Sequence, residues 1–296
     1  MELRDIEIFL TLAEELHFGR TAERLHVSQA RVSQAISQQE RRIGVPLFDR
    51  ANRRQIQLTS VGRQLRDDLR PVYAGLRDSL ERARLAGQGI DAVLRVGTLP
   101  INLHDVRSYW DTFRANHPQW RLRFQQALAN DPFGELRRGN IDVLITWLPV
   151  EEPDVTVGPV LFSEPRVLAV PTDHELTRYT SISLEVVSDF QHPDIAVAPA
   201  YWVDSYVPSH TREGRQIERG PVVHNGDQAL ILTSTGEVVT LFPGHMTRYG
   251  ARPDIAYLPV RDIDALSYGL VWLAESENDL IRALARTIRD IGPLDL

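Results

Sequence analysis

The apolar residues of this chain change their dominant spacing at Gly87-Gln88-Gly89, and that change limits what it can fold into. Before it they recur at helical intervals, apart from one short alternating run at Gln55-Ile56-Gln57-Leu58. After it, short apolar runs of strand length alternate with amphipathic stretches of helix length to the end of the chain. At 296 residues the chain is too long for one small core. The fold class expected is multidomain: an all-α head with a hairpin wing, followed by an α/β body.

Composition removes whole classes of chemistry. There is no cysteine, which excludes disulfides, thiolate nucleophiles, cysteine zinc sites and iron–sulfur clusters. All 33 Lys-plus-Arg residues are arginine, which excludes a Walker-A lysine and Schiff-base catalysis. No apolar run reaches the roughly 18 residues that span a bilayer. The opening MELRDIEIFLTLAEE carries Glu2, Asp5 and Glu7 and no basic n-region, so no secretory signal is read and a cytoplasmic location is expected.

Charge is unevenly placed. The net charge of −7 argues against a generally basic nucleic-acid binder. Yet residues 1–90 hold 15 Arg against 12 acids, and 91–296 hold 18 Arg against 28 acids. Within 20–63, nine Arg face only Glu23, Glu40 and Asp49. A basic head on an acidic body suits nucleic acid; a solvated charged face is the alternative.

The first sixty residues read as a winged helix-turn-helix. Ile6, Phe9, Leu10, Ala13 and Leu16 place a helix over 3–16, which Gly19 is expected to break. A short helix over 20–26 turns Ala22 and Leu25 inward, and Val27 closes the turn. Ser28 is an N-cap for a helix to about 42, with Val32, Ala35, Ile36 and Ile43 inward. Gln29, Arg31, Ser33, Gln34, Ser37 and Gln38 are left outward. Gln and Arg read base edges in a major groove, and Ser and backbone N–H groups hold phosphate. Two short strands follow, Pro46–Arg50 and Gln55–Thr59, with Ile56 and Leu58 facing the core. Between them the tip Ala51-Asn52-Arg53-Arg54 reads as a wing on the DNA backbone or minor groove, or as an ordinary solvated hairpin.

The run SQARVSQAISQQERRIGVPLFDRANRRQIQLTSVG, residues 28–62, resembles the DNA-binding region of LysR-type transcriptional regulators. The resemblance rests on Ser28-Gln29, Glu40, Gly44-Val45-Pro46-Leu47-Phe48-Asp49-Arg50, Arg53-Arg54 and Leu58-Thr59-Ser60-Val61-Gly62. Ala30 and Arg31 stand where Pro-Ala is usual, and Gln39 stands where a core Leu is usual. The DNA-binding residues expected are Ser28, Gln29, Arg31, Ser33, Gln34, Gln38, Arg50, Arg53 and Arg54.

Leu65, Leu69, Val72, Leu76, Leu80 and Ala83 form a narrow apolar seam on a helix over about 60–86. A solvent-facing seam is costly, so a second helix is expected on Leu65, Leu69, Val72, Leu76 and Leu80; packing on the chain's own body is the alternative. Pro71 interrupts this helix and Gly87-Gln88-Gly89 ends it. That Gly-x-Gly lacks the third glycine and the preceding strand of a dinucleotide fingerprint.

In the body, strands are read at Leu94–Gly97, Leu122–Leu128, Ile141–Thr146, Arg166–Val170, Ile195–Ala198, Val222–His224, Val238–Phe242, Ile255–Val260 and Leu270–Ala274. Helices are read over 102–116, 131–138, 227–234 and 279–291. This rhythm implies largely parallel sheets. The stretches LRVGTLP, LRRGNIDVLI, PRVLAVPTDHEL and VVTLFPGH extend the resemblance and imply a two-lobe, type 2 periplasmic-binding-protein-like effector domain. The divisions expected are 1–59 (head), 60–89 (linker and dimerisation helix) and 90–296 (effector domain). Lobe I is then 90–162 with 267–296, and lobe II is 163–266.

Ligands of such folds bind beyond strand carboxyl ends, between lobes. That position selects Thr98, Leu99, Asn130, Thr146, Trp147, Trp202, His224, Asn225 and Phe242 as effector-binding residues. Its tryptophans and phenylalanine suit an aromatic or apolar ligand body, or are plain core. His104, His117, His174 and His192 form no paired ligand motif, and no G-x-S-x-G elbow occurs. His224 and His245 are kept because both follow predicted strands. No enzyme, cofactor, metal or membrane role is expected. The partners implied are an inverted-repeat double-stranded DNA operator, a small-molecule effector, RNA polymerase, and further copies of the chain in a homodimer or homotetramer. A solute-binding protein and an enzyme on the two-lobe fold are the competing classes.

Overall fold

The computed structural model describes residues 2–49, 56–87, 89–99, 101–195 and 198–296. The chain forms two compact units, 1–89 and 90–296.

The first unit contains α1 (Leu3–Glu15), α2 (Phe18–Arg24), α3 (Gln29–Ile43), β1 (Phe48–Asp49), β2 (Gln57–Leu58) and α4 (Ser60–Ala86). Its core joins Ile8, Phe9 and Leu12 of α1 to Val32, Ala35 and Ile36 of α3 and to Leu47, Phe48 and Leu58 of the hairpin. The break after α1 is not at Gly19, which lies inside α2. Leu16 turns the chain through a left-handed conformation with φ 49°, and His17 caps α2 by accepting the Arg20 N–H. Leu16 ends one helix and the His17 imidazole starts the next, so no glycine is needed there. Ile43, expected inward, is 38% exposed at the carboxyl end of α3.

The hairpin is short, with Phe48 paired to Leu58 and Asp49 to Gln57. One Glu40 carboxylate oxygen accepts the backbone N–H groups of Leu47 and Phe48, tying the hairpin to α3. Thr59 caps α4 and donates its hydroxyl to Pro46 O. Gly62 lies so close to the Leu47 carbonyl that a Cβ would collide with it. Glu40, Leu47-Phe48 and Thr59-x-x-Gly62 are therefore one packed joint.

The second unit runs β3 (Ala92–Thr98), α5 (Arg107–Asn116), β4 (Trp120–Gln126), α6 (Gly134–Arg137), β5 (Val143–Trp147), β6 (Val155–Glu164), β7 (Arg166–Pro171), α7 (Leu184–Val187), β8 (His192–Ile195), α8 (Ala200–Tyr206), β9 (Arg219–Val223), α9 (Gly226–Ser234), β10 (Thr240–Pro243), α10 (Met246–Tyr249), β11 (Ile255–Pro259), β12 (Leu266–Leu273) and α11 (Asp279–Ile291). One lobe is built on a five-stranded sheet ordered β4-β3-β5-β12-β6, the other on a three-stranded sheet ordered β10-β7-β11 with the pair β8-β9. The chain crosses between lobes at Pro165 and returns between Pro259 and Leu266.

The sheets are not largely parallel. β3 runs parallel to β4 and β5, and β8 to β9. β12 is antiparallel to β5 and β6, and β7 is antiparallel to β10 and β11. The crossing strands cause the mixture, because each enters its new sheet against the local direction. The strand β6 is absent from the sequence reading, since Gly158-Pro159 looks like a turn. It is an edge strand with an irregular register there, where proline costs no ladder bond. The helix read over 102–116 begins only at Arg107, the one over 131–138 shrinks to Gly134–Arg137, and the strand read at Ile195–Ala198 is β8, which starts at His192.

β7 has apolar side chains on both faces. Leu168 and Val170 join one lobe II cluster, Val167 and Ala169 the other. That accounts for an unbroken apolar run in place of alternation. Arg166 heads the same strand at 2% exposure.

Candidate nucleic-acid interface and ligand cleft

Helix α3 presents the interface. Ser28 Oγ accepts the Arg31 N–H at 3.2 Å and fixes its start. Val32, Ala35 and Ile36 are fully buried, which turns Gln29, Gln34 and Gln38 to solvent and leaves Ser33 and Ser37 half-buried beside them. Gln34 and Gln38 lie one turn apart on that face. Arg31 is partly committed elsewhere: its guanidinium meets Asp5 Oδ1 of α1 at 2.8 Å. Burial works to raise the Asp5 carboxyl, but the Arg31 hydrogen bond, the Glu2 backbone N–H and the Arg31 charge hold it below the ordinary carboxylate value. Gln39 is 2% exposed and donates Nε2–H to Asp5 O at 2.8 Å. The two departures from the family pattern thus meet on one residue of α1. Arg50, Arg53 and Arg54 lie outside the described residues.

The seam of α4 divides in two. Leu65 and Leu69, expected at a dimer contact, pack with Tyr73 against the core of the head. Helix α4 crosses α1 there, so its first turns are spent inside the unit. Val72, Leu76 and Leu80 beyond them are 66%, 42% and 58% exposed.

In the body, the cleft residues are brought together only in part. Thr98 is buried and donates its hydroxyl to the Leu99 carbonyl at 2.6 Å; Leu99 is core. Asn130 and Thr146 hold buried oxygens, Oδ1 and Oγ1, with no hydrogen-bond partner among the described residues. Trp147 and Trp202 stack with ring centroids 3.7 Å apart and planes 15° apart. Trp147 Nε1–H donates to Trp202 O at 3.2 Å, and Trp202 Nε1–H to Trp147 O at 3.3 Å. Both indoles are buried, so they fill the space between the lobes and do not line an open gap. His224 and Asn225 are exposed, and Asn225 caps α9 by accepting the Gln228 N–H. Phe242 packs in a lobe II cluster.

Sequence reasoning missed several buried or paired polar groups near the crossing; it had kept His245 without its partner Glu164. Arg166 donates to the Ser205 and Tyr206 carbonyls, and its charge lies 5.1 Å from the Tyr206 ring centroid. Burial pulls its guanidinium below the ordinary value. A charge opening the apolar run RVLAV was the signal for it. Glu164 accepts from His245 twice, at the backbone N–H and the ring Nδ1, both at 2.7 Å and buried. Asp105 accepts the Tyr249 hydroxyl at 2.7 Å and Arg248 at 3.1 Å. Tyr201 donates to Glu152 at 3.0 Å. A cavity of about 720 Å³ lies beside α8 in lobe II, against Asp194, Asp204, His210 and Arg219, and includes none of the expected cleft residues. Among the described residues, no group of three His, Asp or Glu could hold a metal, and no helix is long and apolar enough to cross a membrane.

Residues 3–63 match the family described as bacterial regulatory helix-turn-helix protein, lysR family. Residues 87–292 match the LysR substrate binding domain. The chain is 32% identical over 212 residues to the HTH-type transcriptional regulator AlsR of Bacillus subtilis (strain 168), covering 70% of this chain and 68% of that one. It is 29% identical to the uncharacterized HTH-type transcriptional regulator YnfL of Escherichia coli (strain K12), covering 92% of each. The fold is shared with CbnR, a LysR family transcriptional regulator, at TM-score 0.72 and 20% identity, covering 99% of this chain and 100% of that one. CbnR has also been solved complexed with its target DNA, at TM-score 0.67 and 20% identity, over 98% and 99% of the two chains. The capped α3 with its joined hairpin and the two-lobe body match these families in order and extent, and the chain belongs to the LysR family of transcription regulators.

Proposed function

We propose that the chain is a one-component regulator that binds an inverted-repeat operator and answers to a small molecule held between its lobes. The observation that carries this is the face of α3, where Gln29, Gln34 and Gln38 stand in solvent over a fully buried apolar side. Amide side chains in that position offer paired donors and acceptors to base edges. Ser28, Ser33 and the α3 N-terminus serve phosphate, with Arg50, Arg53 and Arg54 of the wing. Arg31 serves it with whatever part of its fork Asp5 leaves free. The DNA-bound CbnR, of the same fold, supports this use of the head.

The parts are then a head over 1–59, a linker helix over 60–89 and an effector domain over 90–296, with lobe I at 90–162 and 267–296 and lobe II at 163–266. Exposed Val72, Leu76 and Leu80 pair two copies. The pairing supplies the two-fold symmetry an inverted repeat requires, and a homotetramer and RNA polymerase contact complete the assembly. The cleft binds its ligand and leaves it unchanged. The buried, unpartnered Thr146 and Asn130 oxygens, and the apolar Leu99, Trp147 and Trp202 of the lobe I core, support a ligand there. The effector biases two arrangements of the lobes.

The test is a footprint on the DNA upstream of the chain's own gene across a salt series. A protected inverted repeat lost steeply with salt is expected. Arg53→Ala should lower the salt slope by about 1. Absence of protection at low salt overturns the regulator reading. An unchanged slope removes the wing from phosphate.

A further inference from the structure

Four rings in contact alternate between lobes: Trp147 and Trp202 are stacked, Phe133 meets Trp202 edge-on at 68°, and Tyr206 is tilted 37° to Trp147. Phe133 belongs to lobe I, Trp202 to lobe II, Trp147 to lobe I and Tyr206 to lobe II, with centroid separations of 6.2, 3.7 and 4.6 Å. Arg166, at the crossing between lobes, closes the column. Trp202 is fully buried, yet the core that buries it is the core of lobe I. Lobe II has placed one of its own side chains in the core of lobe I. We propose that the slot between Trp147 and Phe133 is a binding site for one planar aromatic or heteroaromatic ring, and that Trp202 is its internal occupant, expelled when the effector enters.

This rests on the cleft reading above and specifies its ligand. Trp202 offers the slot a flat ring for the Trp147 face and one N–H for the Trp147 carbonyl. A ligand that replaces it needs the same two features. The replacement also releases α8, which Trp202 and the Tyr201–Glu152 bond hold to lobe I. Ring binding and lobe movement are then one event.

Indole is the probe, applied to the full chain labelled with 5-fluorotryptophan. The chain has five tryptophans, and Trp202→Phe assigns the Trp202 fluorine resonance. Saturating indole should move that resonance from its buried to its solvent-exposed position. Trp202→Ala should bind indole more tightly than the unsubstituted chain by roughly 10- to 1,000-fold, since the unsubstituted slot is open only as a minor state of about 0.1–10%. If Trp202→Ala does not fold, Trp202→Phe should still bind more tightly, having lost the N–H that anchors the occupant. Three outcomes overturn the proposal: indole binds without moving Trp202, binds substituted and unsubstituted chains equally, or binds neither up to its solubility. Upstream DNA is footprinted with the same preparations. Operator protection with no response at Trp202 defeats the slot alone, whereas absence of protection by the unsubstituted chain at low salt without indole defeats the regulator reading itself.

Discussion

Helix α3 and the cleft treat their distinctive side chains in opposite ways. The head buries small aliphatic residues and turns its amides outward, so Gln34 and Gln38 wait for a partner. The body turns its two best candidate ligand contacts inward onto each other, so Trp147 and Trp202 have already found one. A rigid helix face can be read from outside without rearrangement. A self-filled cleft can be read only after something leaves it.

The largest test of this contrast is Trp202→Ala. Deleting a fully buried indole should cost the body about 3–5 kcal/mol and leave the head intact. Two-stage thermal unfolding of the full chain measures both. A body transition that does not move would show that the stack holds nothing together.

Acid should sharpen the same difference. His192 of lobe II is fully buried, its Nε2 near Val187 O, and burial pulls it from about 6.5 down to about 4. An unfolded chain takes up the proton near 6.5 and the folded chain only near 4. Stability is therefore whole above pH 6.5 and declines as pH falls toward 4, by about 3 kcal/mol for a shift of this size. Urea midpoints at pH 7 and 4.5 check it, and His192→Leu should flatten the decline. An unchanged decline assigns it to other groups.

Gln34→Ala should lose about 1–3 kcal/mol of discrimination between the operator and a base-substituted site, with stability and non-specific binding kept. Competition binding on the two sequences measures it, and equal loss on both would move Gln34 from the bases to the backbone.

The smallest effect expected is at Arg31. Its side chain is 37% exposed on Asp5, so Arg31→Ala should cost only roughly 0.2–1 kcal/mol of head stability. A changed base preference in that variant would show that Arg31 reads DNA despite its tie to α1.

The head was legible because its signals are local. Ser28, the α3 periodicity and the Glu40, Leu47-Phe48, Thr59, Gly62 set act within a few turns of one another. Its errors were at ends: Gly19 sits inside α2 because His17 does the capping, and Ile43 is exposed because α3 outruns the core. The body was legible as a sequence of elements and less so as a sheet. Gly158-Pro159 hid β6, and no spacing along one strand reports the direction of its neighbour. Leu65 and Leu69 were assigned to a second copy because a seam on one helix does not say which helix faces it.

By itself the sequence determined the two regimes of the chain, the helix-turn-helix with its outward glutamines, and the family to which both halves belong. Those follow from periodicity, capping and motif, which are properties of neighbouring residues. Only the tertiary structure decided that Arg31 and Gln39 converge on Asp5, that Glu164 meets His245, and that Trp202 lies against Trp147. The partners of those contacts are 26, 34, 81 and 55 residues apart. At such separations the choice of partner is set by how packed elements cross, which periodicity, capping and motif do not report.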